Sequence, residues 1–179
     1  MASALGIAKN VREVASVIYR RALAEDLLPG RSIEAVATAS LYAAARQIGV
    51  PRTVDEVAAV SRIDEQAFKR AYRYIVRELS LEIEPPDSNQ YVPRFTSDLR
   101  LSAEMEWRAS RLLDAAQAKN LHSGRNPVGL AAAAIYAASL LTNEPVTQRE
   151  VSEVADISTV TICNRYRELL ETKEASEQS

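Results

Sequence analysis

Gly30-Arg31-Ser32-Ile33 opens a stretch that closes on Leu41-Tyr42-Ala43-Ala44, and Gly124-Arg125-Asn126-Pro127 opens another that closes on Ile135-Tyr136-Ala137-Ala138. The second stretch lies 94 residues after the first. Without a gap, the same offset pairs Pro51 with Pro145, Thr53 with Thr147, and Glu56-Val57 with Glu150-Val151. Further on it pairs Val60 with Val154, Ile63 with Ile157, and Tyr72-Arg73 with Tyr166-Arg167. One offset held from Gly30 to Arg73 is the mark of an internal duplication. The chain reads as two copies of one unit, over residues 1–86 and 87–179.

Each copy reads as helices. Asn10, three residues before Glu13, starts an amphipathic stretch through Val14, Val17, Ile18 and Leu23. Ser32 caps a helix over 33–48 that is apolar nearly all round, and a helix of that kind is a buried one. In the second copy Asn126 suits the cap and Pro127 the first helical position. Thr53-Val-Asp-Glu56 and Thr147-Gln-Arg-Glu150 are capping boxes, in which hydroxyl and carboxylate satisfy free amides at a helix start. Each opens a short helix ending near Ser61 or Ala155. Asp64 and Ser158 then cap a last helix, ending near Leu81 and Leu170. The prolines of Glu84-Pro-Pro-Asp-Ser-Asn89 break the chain between copies. Residues 91–99, with Pro93 in the first turn, open copy two with a helix whose counterpart would precede Asn10. The chain is therefore expected to begin inside a unit. No alternating β-branched run suggests a strand, so the expected class is all-α.

Composition narrows the chemistry. Of 179 residues 47% are hydrophobic, enough for a core, and the net charge is −2. The only cysteine, Cys163, excludes an internal disulfide. The most apolar run, 129–141, is too short to span a bilayer, and no signal peptide opens the chain; an intracellular protein is expected. The one histidine, His122, falls in a loop between helices and reads as a surface residue. Phosphate-loop, dinucleotide, zinc-protease and nucleophile-elbow motifs are all missing. The carboxylates sit at helix starts or alternate with arginines, so no catalytic constellation is legible and an enzyme is not expected.

Recognition remains. Residues 147–170 have the layout of a helix-turn-helix, whose second helix presents its N-terminal residues to base edges in the major groove. Here those residues are Thr159, Val160, Thr161, Ile162, Cys163 and Asn164. Thr and Val meet thymine methyls and Asn reads adenine, while Arg149, Arg165 and Arg167 suit phosphates. Ile162 and Tyr166, four apart, read as core. The matching stretch of copy one differs in charge: Arg62, Lys69, Arg70, Arg73 and Arg77 make its last helix basic on one side.

These residues carry a family resemblance. Pro29-Gly-Arg-Ser-Ile-Glu34, Tyr42-Ala-Ala-Ala-Arg46, Val50-Pro-Arg-Thr53 and Tyr91-Val-Pro-Arg-Phe95 resemble the core domain of archaeal transcription factor B, homologue of the eukaryotic general transcription factor IIB. So do Ser123-Gly-Arg-Asn-Pro127, Thr147-Gln-Arg-Glu-Val151 and Asn164-Arg-Tyr-Arg-Glu-Leu169. The resemblance covers essentially the whole chain, in order. It implies two tandem cyclin-like repeats of five helices, the first helix of repeat one truncated. It implies binding to the TATA-binding protein on bent double-stranded promoter DNA, reading of an element upstream of TATA, and engagement of RNA polymerase, by a monomer without membrane or small-molecule ligand.

By the same resemblance Val160 and Cys163 face bases, with Thr161, Asn164, Gln148, Arg149 and Arg167 as nearby contacts. The loop holding Gly30 and Arg31 touches DNA downstream of TATA, and Gly124 and Arg125 are its second-repeat equivalent. Arg62, Lys69, Arg70 and Arg73 are the expected contacts to the TATA-binding protein.

Two departures stand out. Family members commonly carry arginine where this chain has Cys163, and cysteine cannot make the bidentate contact to guanine that separates bases by roughly 1–3 kcal/mol. The implied upstream preference is therefore relaxed or altered. The family's zinc ribbon and reader segment are not among these residues, so no cofactor is expected, and the chain is expected to assemble on a promoter without supporting initiation. The nearest alternative is a cyclin-like regulatory subunit, or another helical interaction module, that binds no DNA.

Overall fold

Helix starts in this protein are held by side chains at the positions the offset predicts. The structure, a computed structural model, describes residues 5–84, 87–121 and 123–177, with side chains through residue 171. His122 and the Pro85-Pro86 break lie outside the described residues. The chain divides into two compact units, Met1–Pro86 and Asp87–Ser179. The first holds α1 (Lys9–Ala24), α2 (Ile33–Gln47), α3 (Val54–Val60) and α4 (Glu65–Glu78). The second opens with a 3-10 turn (Ser88–Tyr91) running into α5 (Val92–Asp98). It continues through α6 (Ala103–Ala118), α7 (Pro127–Ser139), α8 (Gln148–Ala155) and α9 (Thr159–Glu177). No strand occurs among the described residues. The starts of α6, α7, α8 and α9 each fall 94 residues after those of α1, α2, α3 and α4.

Ser32 Oγ accepts the Ala35 amide, and Asp64 Oδ2 accepts the Ala67 amide. Both capping boxes form: the Thr53 amide donates to Glu56 at 2.6 Å and the Thr147 amide to Glu150 at 2.8 Å. Three boundaries differ from the sequence reading; α4, expected to end near Leu81, stops at Glu78 ahead of left-handed Ser80. The first helix starts at Lys9 behind Ala8, which provides no side-chain cap, so Asn10 lies in the first turn. The last helix runs past Leu170 to Glu177 because 170–177 holds no glycine or proline to stop it.

Helix ends follow a rule that the sequence reading missed. Asp26, Gly49, Ser80, Arg100, Asn120 and Asp156 all have left-handed backbone, and each follows a helix. In each case the next residue is apolar and its amide reaches back five residues: Leu27 to Ala22, Val50 to Ala45, Leu81 to Val76, Leu101 to Thr96, Leu121 to Ala116 and Ile157 to Ser152. This is the Schellman closure, which satisfies orphan carbonyls and turns an apolar side chain back onto the helix. Only one of the six turns uses glycine.

The core of each unit forms around its second long helix. Helix α7 is buried on every side, from Val128 to Ser139 apart from Tyr136, and α5, α6, α8 and α9 all pack on it. Helix α2 is covered by α1 and α4. Alanine dominates both, and small side chains let neighbouring axes approach closely while still removing apolar surface from water. One aromatic contact is repeated. Tyr42 meets Tyr72 edge-to-face at 4.9 Å, and Tyr136 meets Tyr166 at 4.9 Å, tying central helix to last helix in each unit. Such pairs contribute about 0.5–1.5 kcal/mol beyond area.

The copies differ where they are fastened. Ser102 caps α6, and its amide and hydroxyl both donate to Glu144 from the loop after α7. The equivalent residues of unit one are Ala8 and Val50. On α7, Gly129 faces Thr161 of α9, so that a Cβ at Gly129 would lie 3.2 Å from Thr161 Cγ2. Unit one has Ala35 and Ala67 at those positions.

Two outcomes are expected. Alanine in place of a helical glycine normally stabilises by up to about 1 kcal/mol. Here the Thr161 methyl is held in place, because its amide and hydroxyl both bond Ser158 Oγ. In urea unfolding, Gly129→Ala should gain nothing alone, yet gain close to that amount in a Thr161→Ser background; strict additivity would refute the contact. Secondly, hydrogen bonds from Ser102 and Thr147 hold Glu144 and Glu150 below the ordinary carboxylate value of 4.5. A lowered folded value stabilises above the unfolded value and stops doing so as pH falls through the folded one. Acid unfolding followed by circular dichroism below pH 4.5 should therefore be flatter in Glu144→Gln/Glu150→Gln than in the parent chain.

Candidate nucleic-acid interface

Helices α8 and α9 make a helix-turn-helix whose geometry is set by three local devices. The capping box of Thr147 and Glu150 starts α8. Asp156, at φ 52° and ψ 46°, stops it and turns the chain. Ser158 Oγ then accepts the Thr161 amide at 3.2 Å and starts α9. The corresponding corner of unit one is built differently, since Ser61 after α3 is extended and Arg62 is not left-handed. Only the second copy closes this corner with a left-handed residue.

The turn settles which face of α9 is offered outward. Ile162 and Leu169 are buried and face the core. Val160, Asn164 and Arg167, spaced by four and three residues, lie on the opposite, exposed face, and Val160 keeps 66% of its surface open. Cys163 sits half-buried at the edge of that face. Asn164 has no hydrogen-bond partner among the described residues, so its amide is available for an outside group. The Arg167 guanidinium is held more firmly cationic than usual, first by its hydrogen bond to the Tyr166 hydroxyl. Gln148 and Arg149 open α8, with Arg149 exposed and paired to Glu153 at 2.9 Å.

Three residues expected at the interface have partners within their own unit. Thr161 turns away from the outward face, its methyl toward Gly129 and its hydroxyl 2.9 Å from Ser158. Arg165 lies on the other side of α9 and bonds Glu168 at 3.1 Å. Arg125, beside Gly124 in the loop before α7, pairs with the same Glu168. One carboxylate thus holds two of the cations expected on phosphates.

In unit one, Gly30 has the positive φ of +76° that its loop needs, and Arg31 lies flat on the Tyr74 ring at 3.4 Å. Arg77 lies over the same ring at 5.5 Å. Along α4, Lys69, Arg70, Arg73 and Arg77 follow one helical stripe opposite the buried Phe68, Ala71 and Ile75. Lys69 pairs with Glu65, whereas Arg70 and Arg73 are exposed and have no carboxylate partner among the described residues. Arg62 precedes the helix, its backbone amide bonded to Glu34. Tyr74 and Glu168 escaped the sequence reading. The offset that pairs Arg31 with Arg125 also pairs Tyr74 with Glu168, which was the available signal.

Among the described residues no cluster of His, Cys, Asp and Glu is placed to hold a metal ion, and no helix is long and apolar enough to cross a membrane.

Comparison with known proteins gives this arrangement a context. The family described as "Transcription factor TFIIB repeat" matches residues 1–78 and again 82–172. Transcription initiation factor IIB 2 of Halobacterium salinarum is 70% identical over 176 residues, covering 98% of this chain and 54% of that protein. Transcription initiation factor IIB 2 of Haloferax volcanii is 65% identical, covering 98% and 53%. Transcription initiation factor IIB of Archaeoglobus fulgidus is 54% identical, covering 96% and 52%. The chain spans about half the length of the curated relatives it matches. The two helical units fit tandem cyclin-like repeats, in a family of transcription factors rather than enzymes. With both repeats matched and such relatives across nearly its whole length, the chain belongs to the transcription factor TFIIB repeat family.

Proposed function

We propose that this chain is the promoter-binding core of a transcription initiation factor, a non-catalytic adaptor. It binds the complex of the TATA-binding protein with promoter DNA, contacts DNA on both sides of TATA, and reads an upstream element that orients assembly for RNA polymerase. The observation that carries this reading is the outward face of α9, where Val160, Asn164 and Arg167 are exposed beside Cys163. Those positions lie in the first turns of the second helix of a helix-turn-helix, where base edges are read in the major groove. Arg149, at the start of α8, and Arg167 take flanking phosphates. Gln148 is half-exposed next to Arg149 and takes a backbone contact as well.

In unit one the stripe of Lys69, Arg70 and Arg73, with Arg62 before it, serves as the docking face for the TATA-binding protein. The loop of Gly30 and Arg31 serves as the downstream DNA contact. With a net charge of −2 the chain has little general attraction for DNA. Assembly is therefore cooperative: the partner supplies a protein surface and a duplex whose bending cost, on the order of several kcal/mol, is already met.

Two measurements test this. In a gel shift on TATA-containing duplex at two salt concentrations, a supershift should need the TATA-binding protein and weaken in Arg149→Ala and Arg167→Ala. No supershift at either salt would discard the reading in favour of a helical module that binds protein alone. The half-buried Cys163, in place of the arginine common in the family, implies a relaxed upstream preference. Cys163→Arg should sharpen selection for guanine at one upstream position by roughly 5- to 150-fold, the equivalent of one bidentate pair. An unchanged preference in a randomised-duplex selection would sink that part.

A further inference from the structure

The duplication places one arginine at the same point of both units, and the structure restrains the two by opposite means. Arg31 and Arg125 are equivalent, each following a glycine of positive φ at the loop before the central helix. The residue that catches each is also equivalent, Tyr74 on α4 and Glu168 on α9. Arg31 is laid on the Tyr74 ring at 3.4 Å and donates to the Pro29 carbonyl at 3.1 Å. Neither contact cancels its charge. Arg125 is ion-paired with Glu168, which Arg165 also holds at 3.1 Å. Arg125 is also the more covered of the clamp's two arginines, its side chain 23% exposed against 35% for Arg165.

A guanidinium stacked on an aromatic face keeps its edge N–H groups and full charge for an incoming anion. A guanidinium bonded to a carboxylate has already engaged the geometry that would take a phosphate. Arg77 lies over the same Tyr74 ring at 5.5 Å, so unit one gathers two cations around one aromatic. Arg77 is ion-paired with Glu78 through Nε at 2.8 Å and Nη2 at 2.6 Å, leaving Arg31 as the cation of this pair without a carboxylate partner among the described residues.

We propose that Tyr74 is the positioning residue that holds Arg31 as a DNA-phosphate contact, and that Glu168 withdraws Arg125 from that role, so that only the first-repeat loop binds backbone. This rests on the promoter-binding reading. It revises the expectation that the two loops are equivalent DNA contacts. The sequence alone presents Gly30-Arg31 and Gly124-Arg125 as the same element, and the difference lies some 43 residues further along each copy, at Tyr74 and Glu168.

The test is the salt dependence of binding to a TATA-containing duplex preloaded with the TATA-binding protein, using the whole chain. Each phosphate neutralised contributes about 0.9 to the log–log slope. Arg31→Ala should lower the slope by about that amount, and Arg125→Ala should leave it unchanged. Tyr74→Glu, which installs the second-repeat residue, should lower the slope as Arg31→Ala does, while Tyr74→Phe keeps the ring and the parent slope. Glu168→Gln should raise the slope by about one phosphate by releasing Arg125. Thermal melts of Tyr74→Phe and Tyr74→Glu separate loss of the contact from loss of the fold. If Arg31→Ala lowers the slope but Tyr74→Glu does not, the positioning role is wrong and the promoter reading stands. If Arg125→Ala lowers it as much as Arg31→Ala, the asymmetry is wrong. If the duplex complex never forms, both readings fall together.

Discussion

Unit two is arranged around a helix that has almost no solvent face. α7 is apolar through all of its turns, and a helix of that composition is stable in water only when other elements cover it. Its alanines contribute little side-chain volume each, but they allow α6 and α9 to approach on two sides with α5 and α8 over the remainder. This constraint fixes the orientation of α9. Once Ile162 and Leu169 face α7, the positions spaced by three and four residues from Val160 must face out. The Gly129–Thr161 contact sharpens that choice, because removing the Cβ on α7 makes room for a β-branched residue on α9. The outward face is a consequence of burying its opposite.

Duplication supplies two such faces, and they have diverged in chemistry while keeping their geometry. Residues at the same offset along the last helix are Gln66, Lys69, Arg70 and Arg73 in one copy and Val160, Cys163, Asn164 and Arg167 in the other. The first set is cationic. The second offers an apolar group, a thiol, an amide and one cation, which suits base edges better than a diffuse charge would. What holds each face in place has changed less. The Tyr42–Tyr72 and Tyr136–Tyr166 contacts have the same centroid separation, and the capping boxes of α3 and α8 are alike. Packing and helix starts are shared between copies, whereas exposed residues are free to vary.

That division explains what could be read from the sequence. Helix starts were legible because Ser32, Thr53, Asp64, Thr147 and Ser158 act on amides within three residues, so the signal is local. The buried helices were legible because an apolar run reports burial directly. Helix ends were harder: left-handed Asp26, Arg100 and Asn120 look ordinary, and only the apolar residue after each, with its amide reaching back five positions, marks the stop. Within the candidate site, Val160 and Asn164 followed from the helix-turn-helix layout, and the buried Ile162 from helical spacing. The partners of the arginines did not, since Arg31 finds Tyr74 and Arg125 finds Glu168 across 43 residues. The contact of Thr161 was not legible for a related reason: only the missing Cβ of Gly129, 32 residues earlier, makes room for its methyl.

The acidic total, 24 Asp and Glu against 22 Lys and Arg, argues against a nucleic-acid partner only if charges are interchangeable. They are not. Glu56, Asp64, Glu144 and Glu150 accept backbone amides at helix starts, where they stabilise helices. Glu168 is clamped between two arginines. Arg70, Arg73 and Arg167 face solvent without a carboxylate partner among the described residues. Screening confines the influence of an exposed charge to roughly 8–10 Å at ordinary salt, so a ligand meeting one face senses that face and not the sum. On the proposed reading, a chain built this way has weak attraction for DNA in general and distinct local attraction at a few positions. That combination suits a factor whose binding is meant to depend on a partner already sitting on the promoter.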